Sequence, residues 1–387
     1  MTRVQLRVST EPVKTVLGQK TIGEQRCASY KRQGSEPTHS ELMTDSRMNK
    51  LLVLTLATCG LMTQPASALI TIDTVPVGNA GNAADPTTGF GAVGYDYGIG
   101  KYEVTLNQYT EFLNAVAKTD AYGLYNVNMG TDLNSRGISR SGASGSYTYS
   151  VIESGNRPVT YVSWYDSARF VNWLHNGQPV GLQAPGTTET GAYTLTGNSG
   201  LITRNSGWTY ALPSENEWYK AAYHQPGAQG GDGDNYWLYP TANNPTPNSW
   251  NGSSSDANSG NFLRDDSIEN GFNGGYAVSQ SPIYSDFQNY LTDVGAFGLA
   301  DSFYGTFDQG GNVWEWNDAI IGSLARGTRG GSWSNDFENG LRSSDRGGGY
   351  FPEDESVAVG FRVAIVPEPS VVGLMGLGAV LMFRKRK

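Results

Sequence analysis

The sequence predicts a mixed helix-and-strand body, rich in loops and poor in regular structure, with only a few short helices. Two observations carry this expectation. Three capping boxes occur, each preceded by a strand-like run and followed by a short apolar stripe, and glycine reaches 50 of 387 residues while charged side chains make up only 16%. A soluble chain usually carries about 25% charge, whereas disorder needs high charge and few aromatics. With 9 Trp, 22 Tyr and 13 Phe, the chain has the aromatic content of a folded core. Its length allows one large domain or two small ones.

The elements follow in chain order. Residues 1–47 lack any periodicity, and Met48-Asn-Lys then opens the apolar run LLVLTLATCGLM, which ends at Ala66-Ser67-Ala68. A short basic start, an apolar stretch and a small-residue cleavage site make a secretory signal peptide over residues 48–68. Translation is therefore expected to begin at Met48, with 1–47 an over-long start. Cys27 lies in that leader and Cys59 in the signal, so a mature body of residues 69–366 has no thiol and no disulfide.

Within the body, Thr105-Leu-Asn-Gln108 is the first capping box, in which the hydroxyl accepts from the N3 amide while Gln108 reaches back. Tyr109, Phe112, Leu113 and Val116 then recur at i, i+3, i+4 and i+7, one apolar helical face. Ser163-Trp-Tyr-Asp166 opens a second helix through Asn176, with Trp164, Ala168, Val171 and Leu174 inward, and Ser214-Glu-Asn-Glu217 opens a third carrying Trp218 and Ala221–Ala222. The runs GIGKYEV, RPVTYV and WTYAL before them read as strands. Residues 227–275 are dense in Gly, Asn, Ser, Asp and Pro and predict little regular structure. The late blocks QGGNVWEW (309–316) and RGGSW (329–333) pair glycine with aromatics. No fixed-period repeat points to a solenoid or propeller.

Several patterns are decoys. Gly89-Phe-Gly91-Ala-Val-Gly94 leads into a strand-like run and not a helix, so it lacks the helix N-terminus a dinucleotide needs. Asp232-Gly-Asp234-Asn235 lacks the glycine and terminal glutamate of a calcium-binding EF-hand loop. His175 and His224, the only histidines of the body, are too few for a three-His metal site and are placed at helix C-terminal ends. The acidic excess sits in the middle of the chain. Residues 1–50 hold nine Lys/Arg against five Asp/Glu, and residues 367–387 hold four against one, while the whole chain has 27 against 36. So acidic a body disfavours nucleic acid and favours cations.

The C-terminus reads Val366-Pro-Glu-Pro-Ser370, an apolar run, then Arg384-Lys-Arg-Lys387. The order of these three parts in residues 367–387 resembles the PEP-CTERM sorting signal. The resemblance implies recognition by exosortase-type sorting machinery, export across the inner membrane, transient anchoring through a C-terminal transmembrane helix, and a cell-surface or secreted protein of an exopolysaccharide-making bacterium.

Taken in order, GIGKYEVTLNQYTEFLNAV, RPVTYVSWYDSARFVNWL, YALPSENEWYKAAY, GGNVWEWND and RGGSW followed by GFRV resemble the formylglycine-generating-enzyme (sulfatase-modifying-factor) family from about Tyr97 to Val363. The resemblance implies a single α+β domain over residues 69–366, of C-type-lectin-like topology, loop-rich with few short helices. Enzymes of that family use two copper-binding cysteines shortly after the RGGS block. The matching positions here are approximately Asn335 and Gly340, which cannot hold Cu(I), so no copper and no catalytic residues are expected. The family's calcium site carries over to Gly310, Gly311 and Val313 through backbone oxygens and Glu315 through its carboxylate. A second carries over to Asn261 with Asp265 or Asp266, and calcium is the one structural cofactor expected. The alternative for Glu315 is an ion pair with a buried arginine, Arg329 or Arg362.

The leading expectation is an exported cell-surface or matrix binding module on this fold, lacking the catalytic cysteines, with extracellular polysaccharide or a surface protein as partner and no nucleic acid. The alternatives are an oxidoreductase of the same family with altered, non-thiol chemistry, and a passive matrix component.

Overall fold

A computed structural model of the chain describes residues 69–195, 201–250, 256–334 and 338–366. The expected signal peptide at 48–68 and the tail at 367–387 fall outside the described residues, and among the described residues no helix is long and apolar enough to cross a membrane.

The chain runs through β1 (Thr74–Val77), β2 (Tyr97–Gly100), α1 (Leu106–Val116), α2 (Asn128–Thr131), β3 (Ile138–Ser141), β4 (Thr148–Val151), α3 (Trp164–His175), β5 (Tyr210–Ala211) and α4 (Glu215–Tyr223). Four very short strands follow, β6 (Asn248–Ser249), β7 (Ser259–Gly260), β8 (Leu263–Asp265) and β9 (Gly274–Tyr276). The last part holds β10 (Trp314–Ile321), β11 (Ala325–Arg329), β12 (Val359–Phe361) and β13 (Ala364–Ile365). One sheet has the order β1-β2-β13-β5 and another β11-β10-β12, with three two-stranded ribbons beside them. The mixture of short helices and short strands separated by long loops is the α+β, loop-rich architecture expected.

All three capping boxes close. The N3 amides of Gln108, Asp166 and Glu217 donate to Thr105, Ser163 and Ser214, and each N3 side chain accepts from its N-cap amide. Each cap is worth about 1 kcal/mol. The apolar stripe of α1 is buried, and its Phe112 meets Phe170 of α3 at 5.3 Å, edge to face. Phe170 in turn meets Phe361 of β12 at 5.3 Å, which ties the helices to the last sheet. His175 is the last residue of α3 and His224 the C-cap of α4. The Gly89–Gly94 run leads into β2.

Other expectations are corrected. The run RPVTYV is not a strand. Pro158 makes an isolated bridge to Thr105, Val159 donates to the Val104 carbonyl at 2.9 Å, and Tyr161 at φ +58° turns the chain out of any ladder. Residues 227–275 hold a 3-10 turn, three complete strands and the start of β9, each two or three residues long. The β3–β4 ribbon, α2 and the long β10–β11 hairpin went unread.

One buried carboxyl of α3 has a titration consequence. Asp166 accepts from the Ser163 hydroxyl at 2.6 Å and lies against Glu355. Burial pushes its pKa up to about 7, which the bonds from Ser163 oppose and Glu355 reinforces. Between the unfolded value of 3.8 and about 7 the native chain holds a proton the unfolded chain has lost, so this group makes stability fall as pH rises through that window. His224, pushed down to about 4 by burial and by Lys220, works in the opposite sense. The difference between wild type and Asp166→Asn isolates the first effect. Urea denaturation at about pH 5 and pH 8 is expected to show a gain in the variant relative to wild type at the higher pH. An equal difference at both values would refute the assignment.

Candidate functional site

The GNVWEW block forms the turn into β10. Gly311 sits at φ +95°, where a Cβ would lie 2.4 Å from the Asn261 carbonyl oxygen, so only glycine fits. The turn is clasped by Asn261. Its Nδ2 donates to the Tyr290 carbonyl at 2.8 Å and to Asn312 Oδ1 at 3.0 Å, while its own carbonyl accepts from the Asn312 amide at 2.7 Å.

Both faces of β10 are covered at Glu315, Trp316 and Asn317, and Glu315 is fully buried. Its Oε1 accepts from Arg362 Nη2 at 2.7 Å, and its Oε2 from Arg362 Nε at 2.6 Å and from Trp218 Nε1 at 2.7 Å. This is a bidentate charged pair with an indole as third donor. Arg362 also donates to the carbonyls of Gly100 and Phe307 at 2.9 and 2.8 Å. Burial opposes its charge, but Glu315, with Glu103 and Asp308 further out, outweighs burial and holds it above its ordinary value.

This arrangement does not fit the calcium ion that the family resemblance implies. Calcium takes six to eight oxygens, and both carboxylate oxygens of Glu315 are already committed to a guanidinium whose charge would repel a cation. Gly310, Gly311, Val313 and Glu315 do share the turn and Asn261 abuts it. Asp265 does not join them: it is exposed at the end of β8, where it accepts from the Ser267 amide at 2.9 Å. Asp266 accepts from Asn273 Nδ2 at 2.9 Å. Among the described residues, no three His, Cys, Asp or Glu side chains converge to hold a metal.

Sequence reasoning missed the charge network around this turn. The first turn of α4 sends Glu215 to Arg329 at 2.8 Å and to Arg346 at 2.5 Å, and sends Glu217 to Arg204 at 2.9 Å. Arg204 also reaches Asp318 of β10 at 2.9 Å. Burial would raise the Glu217 pKa, yet Arg204 and Tyr95 hold it below its ordinary value. Glu103 is the exception to this pairing. Its Oε1 accepts from Asn312 at 3.2 Å while its Oε2 is buried with no partner among the described residues. Burial, then Asp308 and Glu315, push its pKa well up. The signal for these residues lay in the SENE and KYEV blocks, which were read only as caps and strand.

Beyond β11 the chain turns at Gly330 and Gly331 into an aromatic cluster. Trp333 stacks on Tyr290 at 4.8 Å with nearly parallel rings, and Tyr276 and Tyr284 extend the group. The expected position Asn335 lies outside the described residues. Gly340 is buried in the 3-10 turn Glu338–Leu341, packed against Gly331. What this face offers chemically is apolar and aromatic contact, flanked by the Ser332 and Ser334 hydroxyls, 3.2 Å apart.

A family model described as the sulfatase-modifying factor enzyme 1-like domain matches residues 73–366, and the PEP-CTERM protein-sorting motif matches residues 366–387. The motif marks an exported protein with a C-terminal sorting signal, recognised by exosortase-type machinery. No curated protein matches significantly. Among solved structures, the crystal structure of CarF is similar at 21% identity, covering 78% of this chain and 100% of its own, with a TM-score of 0.41. Treponema denticola variable protein 1 is similar at 18%, covering 78% and 98%, TM-score 0.41. PvdO from Pseudomonas aeruginosa is similar at 18%, covering 76% and 91%, TM-score 0.38.

Proposed function

The chain belongs to the family of the sulfatase-modifying factor enzyme 1-like domain, and from that premise we propose that it is an exported binding module that has kept the family's fold without its thiol chemistry. One observation carries the reading: the chain's two cysteines, Cys27 and Cys59, both precede the matched domain. Oxidising a substrate cysteine through a copper-bound thiolate pair requires soft sulfur ligands and a thiol to engage the substrate. The domain has neither. What it retains is a scaffold braced by buried ion pairs and carrying long surface loops, which suits recognition. Its place is the cell surface or the extracellular matrix, and its partners are polysaccharide or surface protein.

The test is a paired measurement on the purified chain. Incubated with a sulfatase-type cysteine peptide and Cu(I), it is expected to yield no aldehyde by mass spectrometry. On a glycan-and-peptide array, with and without calcium, it is expected to show saturable binding. Aldehyde formation that depends on the protein would overturn the reading, as would an array without any response.

A further inference from the structure

We propose that the cavity between the loop at residues 79–83 and the stretch following α4 is a binding site for a neutral saccharide. The proposal rests on the binding-module reading and assigns its ligand a place and a chemical class. The cavity encloses about 320 Å³, and its polar wall consists of Asn79, Asn82, His224, Asp234, Asn235 and Tyr236. That volume lies at the lower end of small-ligand sites. No lysine or arginine lines it; Lys220 is spent on the Asn79 carbonyl, to which its Nζ donates at 2.9 Å.

The hydrogen-bond accounting of this wall separates what holds the fold from what is left over. Asn82 is spent internally: its Nδ2 donates to the Gly91 carbonyl and to Tyr236 Oη, both at 2.8 Å, and its Oδ1 accepts from the Val93 amide at 3.3 Å. Tyr236 gives its hydroxyl proton to the Ala83 carbonyl at 2.8 Å. The other four residues each use one end. Asn79 Nδ2 donates to Tyr304 Oη at 3.1 Å, leaving Oδ1. Asn235 Oδ1 accepts from the Gly227 amide at 2.6 Å, leaving Nδ2. Asp234 Oδ1 accepts from the Tyr236 amide at 3.0 Å, leaving Oδ2. His224 Nδ1 meets Tyr304 Oη at 2.8 Å, leaving Nε2.

The tautomer of His224 decides what its free Nε2 does: Nδ1 pairs with Tyr304 Oη at 2.8 Å, and whichever role it takes there, Nε2 takes the other. The spare capacity is therefore one donor, Asn235 Nδ2, two acceptors, Asn79 Oδ1 and Asp234 Oδ2, and His224 Nε2, which donates or accepts according to the tautomer. A sugar hydroxyl is donor and acceptor at once, and vicinal hydroxyls answer such a mixed set. A phosphate needs donors only and an ammonium acceptors only. Burial keeps the imidazole uncharged at neutral pH, its pKa pushed down to about 4. The ring is fixed edge-on to Tyr236 at 5.0 Å and parallel to Tyr304 at 6.1 Å. The wall is thus preorganised, which lowers the ordering cost of binding.

The chain has three histidines, His39, His175 and His224, so side-chain NMR of the histidine-labelled full chain reads the site directly. Cellobiose and maltose are the neutral probes, with glucuronic acid and glucosamine as charged counterparts. The expected result is a saturable shift of the His224 ring, with Kd on the order of 1 mM for at least one neutral disaccharide, and no shift of His175. Ala80→Trp places an indole at the cavity mouth and removes no side-chain bond, since Ala80 contributes only its amide, to Asp96. It is expected to weaken binding at least about tenfold. Asp234→Asn, which keeps the Oδ1 acceptor for Tyr236, is a second variant expected to weaken it several-fold. A silent His224, a preference for the charged sugars, or equal binding by both variants would each overturn the proposal. If array binding persists in Ala80→Trp, the binding-module reading stands and this cavity is not its site.

Discussion

Replacing Glu315 with glutamine is expected to cost the domain about 3–5 kcal/mol, the usual penalty for stripping one partner from a buried ion pair, and to cost the same in EDTA as in calcium. Glutamine keeps one acceptor oxygen but presents an amide to the guanidinium of Arg362, leaving a fully buried cation without a counter-charge. Trp218 loses a charged acceptor in the same step. Urea midpoints for wild type and variant, each with EDTA and with calcium, give four values that decide between an ion pair and a metal ligand. If calcium stabilises the wild type and the variant loses only that gain, Glu315 is a ligand after all.

Truncating Trp218 to alanine is expected to be comparably severe, about 3–5 kcal/mol, as for other buried Trp and Phe deletions. The indole is fully buried beneath Gly330, and Gln309 Nε2 donates to the Trp218 carbonyl at 3.1 Å, so the helix α4 is pinned to the β10 turn from both its side chain and its backbone. Trp218→Phe keeps most of the volume and loses the bond to a charged acceptor, worth about 1.5–3 kcal/mol. Because Trp218 and Glu315 share that bond, the double variant Trp218→Phe/Glu315→Gln is expected to lose less than the two single losses combined. Strict additivity would show that the indole and the carboxylate act independently.

The fold was legible where local chemistry decides it. Thr105, Ser163 and Ser214 announce helices because a cap is a contact between residues three apart, and all three helices start at the expected cap. Legibility failed where partners are remote. Asn261 could be placed near the GNVWEW turn only through a family resemblance, because nothing in its own neighbourhood says that it clasps Asn312, 51 residues on. The same holds for Glu215 and Glu217, two residues apart in the Ser214–Glu217 block yet sent to Arg329 and Arg204. Charge pairing for Glu315 was foreseen as one of two alternatives, and burial on both faces of β10, which the sequence does not state, made Arg362 the partner. Asp265 failed for the opposite reason: its strand edge is exposed, and no interior demanded its charge.

The place of β13 bears on how the protein is made and held. This two-residue strand lies between β2 and β5, and the Val366 amide bonds back to the Thr209 carbonyl at 3.2 Å, at the residue where the sorting motif begins. A chain that crosses a membrane with its N-terminus leading cannot assemble this sheet until nearly its whole length has emerged, because β2 must wait for a partner more than 260 residues later. The sheet therefore stays incomplete until the residues beside the sorting motif are present. A pull applied at Val366 would load first a strand bonded along both edges, where several bonds must shear together and no single edge can peel.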